Sequence, residues 1–252
     1  MTIKDELNKV LGGRMSRNSL FALVQSIVVT LCMFLSFRIT LQEVGEELIG
    51  VWFLLLAGTA FVRVGDLSGV GALSRFVAMR TYRDQGDWAI RAINTVLITA
   101  VGMNLLIAFF VWVFAPVFIP RVFEPGFQQY AFALLPFAVS NMFLGAMAIA
   151  VTSGIDGTQR ADQRAILMIT VSIFMLVACF LLVPMYGIFG FVSSQLAQQA
   201  IIVIAGWVVI RSHVPGLGVI PYKWERDVFY ETTGYAVKLS GIGIVSVLFE
   251  PM

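Results

Sequence analysis

Charge is what this chain has least of. Asp, Glu, Lys and Arg make up only 13% of its 252 residues, about half the share of an ordinary soluble domain. Cysteine is nearly as scarce. Cys32 and Cys179 each sit inside an apolar run, and His213 is the one histidine. Sparse cysteine and histidine without close partners exclude a disulfide framework and any familiar metal-ligand spacing. No metal and no cofactor is therefore expected. The net charge is only +2, and no nucleic-acid partner is expected. The N-terminal stretch MTIKDELNKVLGGRMSRNS mixes charges of both signs, and the apolar segment after it is too long for the core of a cleaved signal peptide.

What is abundant is apolar sequence, 59% of the chain, gathered into runs long enough to cross roughly 30 Å of hydrocarbon. The pattern predicts an all-α, polytopic transmembrane helical bundle. Spans are expected over residues 18–38, 48–72, 92–115, 131–153, 165–183 and 187–210, with a seventh apolar run from about 234. The loops between them read FAPVFIPRVFEPGFQQY, SGIDGTQRADQR and VPMYG, with Pro184 and Gly187 making the last turn. This gives a six-helix lobe over 1–210, an amphipathic cytoplasmic linker over 211–233, and over 234–252 the start of a second lobe, too short to be a full span. Six spans sort the basic residues sharply. Lys4, Lys9, Arg14, Arg17, Arg75, Arg80, Arg83, Arg91, Arg160, Arg164, Arg211, Lys223, Arg226 and Lys238 fall on one side, and only Arg38 and Arg121 on the other. Such asymmetry puts the N-terminus in the cytoplasm.

One pair of charges lies within a span. Arg63 and Asp66, in FVRVGDLSGVGALSRFVA, are three residues apart, so a helix carries both on one face. A charge at mid-bilayer costs about 2.5–3.5 kcal/mol on insertion scales, so the pair is expected to face other helices or water. Either it neutralises itself and ties span two to its neighbours, or it holds a polar or anionic ligand or a coupling cation. Arg suits a phosphate through its planar fork. Gln25, with Ser26 and Thr30, forms a polar face on span one. Arg38 ends that span at the interface. Asn104 and Asn141 are expected to bridge helices, and Gln195, Gln198 and Gln199 to pack. Asp84 and Asp87 read as a solvated loop, and His213 as a surface residue without a partner.

Two stretches resemble a known family. EELIGVWFLLLAGTAFVRVGDLSGVGALSRFVA is similar to the second-helix signature of polysaccharide exporters through Gly50, Val51, Trp52, Asp66, Leu67, Gly69, Gly71 and Arg75, with Ser68 where that signature has glycine. GIDGTQRADQRAILMI and the following LLVPMYGIFGFVSSQLAQQ resemble its fourth-to-sixth-helix region through Gly157, Gln159, Arg160, Pro184, Tyr186, Gly187 and Gly190. The resemblance is to the lipid-linked oligosaccharide flippase branch of the multidrug/oligosaccharidyl-lipid/polysaccharide exporter superfamily. It implies two six-helix lobes around a cavity, of which this sequence holds one lobe and the start of the next. It implies a non-enzymatic transporter of undecaprenyl-diphosphate-linked oligosaccharide in a bacterial inner membrane. Arg63 and Asp66 would face the cavity, with Gln25, Asn141 and Arg38 as further binding or ion-pathway residues. The implied partners are the lipid-linked substrate, membrane lipid, a coupling H⁺ or Na⁺, and other polysaccharide-assembly proteins. A multidrug exporter of the same superfamily shares the fold. A membrane-embedded glycosyltransferase or polymerase would need acid/base or metal-binding carboxylates, for which Asp84 and Asp87 are poor material.

Overall fold

A chain this apolar must satisfy its backbone within its own segments, and in hydrocarbon that leaves helices or closed barrels. The computed structural model describes residues 14–61, 70–81, 86–214 and 216–235, and it is helical almost throughout. In order come α1 (Arg14–Val44), α2 (Glu46–Phe61), α3 (Val70–Thr81), α4 (Gly86–Val122), α5 (Pro125–Gly157), α6 (Ala161–Tyr186) and α7 (Ile188–His213), then α8 over residues 226–235. Among the described residues no strand occurs. Five of these helices are long and apolar enough to cross a membrane: α1 from Leu20, α4, α5, α6 and α7. The protein is thus a multi-pass, all-α bundle.

Several element boundaries differ from the sequence-based expectation. Span two is described as α2 and α3, on either side of residues 62–69. Those eight residues, with Arg63 and Asp66 among them, lie outside the described part, as do residues 236–252. The long loop expected around Pro116 and Pro120 shrinks to Phe123 and Glu124, because α4 continues through both prolines to Val122. Each proline removes its own backbone bond and crowds the carbonyl one turn back, which a helix of this kind absorbs by local adjustment. Pro125 then opens α5 at a first-turn position, where no intrahelical donor is needed. The α6–α7 turn is made by Gly187 alone, at φ 57°, while Pro184 lies inside α6. Gly190 completes the hairpin. A Cβ there would stand 2.2 Å from the Leu182 carbonyl oxygen, so only glycine lets the two helices close this tightly.

The central helix is α5, packed against α2, α3, α4 and α7, while α1 lies along α6. Small residues set these approaches. A Cβ on Gly154 would meet Ile210, one on Gly206 would meet Val151, and one on Gly157 would meet Val77. Two large apolar clusters result. One joins Trp52, Ala115, Ile119, Leu134, Cys179 and Phe191. The other joins Val77, Ile93, Val96, Val151, Ile155 and Ile210. Arg75, Arg91, Arg160, Arg164 and Arg211 neighbour the second cluster in sequence, and Arg38 and Arg121 neighbour the first. The bundle therefore has an arginine-rich end and an end with few cations, where Glu43, Glu46, Glu47 and Glu124 lie.

The segment after α7, expected as a surface linker, folds back onto the bundle. The Trp207 indole N–H donates to the Val219 carbonyl at 2.8 Å, and the Trp224 indole N–H to Thr99 Oγ1 at 3.1 Å. The Glu225 backbone N–H donates to Thr95 Oγ1 at 3.2 Å, and its carboxylate pairs with Arg91 at 3.2 Å. Val228 is buried in the second cluster, and Tyr235 in α8 hydrogen-bonds Arg75 of α3.

Candidate functional site

Between the two apolar clusters lies a layer of amides. On α5 the first cluster ends with Ala138 and the second begins with Met147, and Asn141 stands between. On α4 the second cluster ends with Ala100 and the first begins with Ala115, and Asn104 stands between. On α7 Gln195, Gln198 and Gln199 occupy the corresponding gap. The contacts Gly154 to Ile210 and Gly206 to Val151 fix the register of the parallel helices α5 and α7. Carried back along both, that register brings Asn141 level with Gln195 and Gln198. Nothing in the apolar periodicity of either helix fixes this alignment; the glycine contacts do.

The layer is only partly satisfied. The Trp52 indole N–H donates to Gln195 Oε1 at 3.1 Å, with the Trp52 ring wholly buried. Gln195 thus has the packing role expected of it. Asn104 does not bridge helices as expected; its amide donates to the Ala100 carbonyl one turn back, at 2.8 Å. Asn141 is half-buried, and its Oδ1 is fully shielded with no hydrogen-bond partner. An unmade bond at such a group costs about 1–3 kcal/mol. Five neutral amides supply paired donors and acceptors and no titrating group. They can bind hydroxyl-rich or phosphate-bearing molecules and cannot act as acid or base.

The other residues singled out from sequence fall elsewhere. Arg63 and Asp66 are outside the described residues. Gln25 is half-buried on α1, whose main partner is α6, so it is not part of the layer on α4, α5 and α7. Arg38 is exposed on α1 at the cation-poor end. Cys32 and Cys179 are both buried, and the Cys179 thiol lies among the Ser36 and Ser194 hydroxyls, a contact between α1, α6 and α7 that the apolar runs conceal. His213 is not a lone surface residue. It is half-buried as the last residue of α7, and the Gln163 amide reaches its Nε2 at 3.4 Å while Nδ1 faces the Val209 carbonyl at 3.0 Å. Asp87 is exposed in the first turn of α4, and Asp84 lies outside the described residues. Among the described residues no three His, Cys, Asp or Glu side chains come together as a metal cage would require. No family model matches the chain, nor does any curated protein or solved structure.

Proposed function

We propose that this protein moves undecaprenyl-diphosphate-linked oligosaccharide from the cytoplasmic to the outer leaflet of a bacterial inner membrane, with its N-terminus in the cytoplasm. The observation that carries this reading is the amide layer midway along a bundle of membrane-length helices, above all Asn141 with its shielded, unpartnered Oδ1. Polar groups kept at that depth are functional candidates by default, and neutral amides suit sugar hydroxyls. The resemblance of residues 46–78 and 154–199 to oligosaccharide flippases supplies the substrate class. In this reading Arg63 binds the diphosphate through its bidentate fork, Asp66 orients it, and the amides hold the sugars. A second six-helix lobe completes the cavity, and rocking of one lobe on the other, coupled to H⁺ or Na⁺, alternates access. Other polysaccharide-assembly proteins supply and take up the lipid-linked sugar.

The test is complementation of cells that lack their own oligosaccharide flippase, using the full-length protein. Arg63→Ala and Asn141→Leu should reduce surface polysaccharide while membrane levels stay near normal. Asn141→Leu should cost about two- to thirteenfold in transport, the worth of one hydrogen bond of about 0.5–1.5 kcal/mol. The double variant Arg63→Leu/Asp66→Leu removes both charges and leaves neither unpaired. Normal polysaccharide display from it would show that the pair is structural and would remove the diphosphate site.

A further inference from the structure

Away from the amide layer, α2, α4 and α5 leave a groove of about 500 Å³ on the flank of the bundle. Its walls include Leu54 and Gly58 of α2, Phe110, Phe114 and Phe118 of α4, and Leu135 of α5, and every residue lining it is apolar. The three phenylalanines recur every fourth residue, so they form a ladder about 12 Å long on one face of α4. Phe110 and Phe114 stack at 15° with ring centroids 6.4 Å apart, and all three rings are about half exposed. Opposite them, a Cβ on Gly58 would meet nothing within 4 Å.

The lining selects its occupant. The groove runs along α4, one of the membrane-length helices, and offers no polar group to a partner. A hydrocarbon chain lying parallel to α4 meets only apolar walls there. Arg121 follows the ladder in the last turn of α4, beside the lining residues Phe118 and Val122. We propose that the groove holds one acyl chain of a bilayer phospholipid, lying along the phenylalanine ladder, with the lipid phosphate at Arg121. Bulk lipid is as apolar as the groove, so burial alone gives the chain no preference for it. What retains the chain is contact with the ring faces, contact that an empty groove would forfeit.

The full chain is purified in mild detergent from phosphatidylglycerol vesicles and weighed intact by native mass spectrometry. The wild type is expected to keep one phosphatidylglycerol that Gly58→Phe loses, since the new ring occupies the groove. Leu106→Phe, an exposed position on α4 that does not line the groove, should keep it. Arg121→Glu should keep less of it. Ala57→Leu repeats the groove-filling test in case Gly58→Phe fails to elute as folded, helical protein. Equal lipid retention by the wild type and both filled variants would overturn the proposal. So would a retained polyprenyl phosphate, or a second copy of the chain, in place of the phospholipid. Unchanged retention in Arg121→Glu would overturn the headgroup contact.

Discussion

At the scale of single residues, the bundle is set by where glycine is the only residue that fits. Gly190 and Gly50 make the contrast. The first has a backbone oxygen 2.2 Å from where a Cβ would sit, and the second has open space. Gly190→Ala is therefore expected to destabilise the protein by about 1–3 kcal/mol as the hairpin is forced apart. Gly50→Ala should be neutral or slightly stabilising, because glycine inside a helix costs up to about 1 kcal/mol relative to alanine. Thermal unfolding of both variants in the same detergent checks this, and equal midpoints would contradict the hairpin geometry. Trp52 offers a second test. Trp52→Phe keeps most of the buried ring and deletes the hydrogen bond to Gln195. Bonds of this kind between membrane helices are worth about 0.6–2 kcal/mol, so a loss in that range is expected, with the double variant Trp52→Phe/Gln195→Leu partly restored.

At the scale of elements, the apolar runs announce the helices and say little about where they stop. The cores of all five membrane-length helices were legible, because runs of that length admit no other backbone solution in lipid. The ends were not. Pro116 and Pro120 look like loop residues in sequence, yet α4 carries them, since local adjustment of the helix absorbs the lost bond and the crowded carbonyl. The amide layer was half legible. Asn104, Asn141 and the three glutamines stand out in apolar text, but only the glycine-set register shows which of them are level. The segment over 211–233 was legible as amphipathic and illegible as docked, because its partners Thr95 and Thr99 lie more than a hundred residues away. Its anchors differ in strength. The Arg91–Glu225 pair has side chains 44% and 34% exposed, so breaking it with Glu225→Gln should cost under about 1 kcal/mol. Val228 is buried among apolar side chains, so Val228→Asp should release the segment. Limited proteolysis reads this directly: cleavage within 214–225 should rise strongly for Val228→Asp and little for Glu225→Gln.

At the scale of the whole molecule, the sorting of cations to one end is a statement about sidedness. Arg160 and Glu124 flank the two ends of α5. With Cys32 and Cys179 replaced, Arg160→Cys should react with an impermeant thiol reagent only from the cytoplasmic side, and Glu124→Cys only from the opposite side. Reaction of both from one side would rule out a membrane-spanning α5. The order of packing has a consequence in time. Helix α1 leaves the ribosome well before its main partner α6, and Ser36 awaits the neighbourhood of Cys179. At about 5–20 residues per second, the intervening stretch of roughly 140 residues takes about 7–30 s to synthesise. For that interval α1 has only the short α2 to pack against, through Phe37 and Phe53. Its most apolar window has a mean hydropathy of 2.3 and is only 11% buried even in the finished bundle. A helix this apolar can wait in the bilayer for the partner along which it later packs.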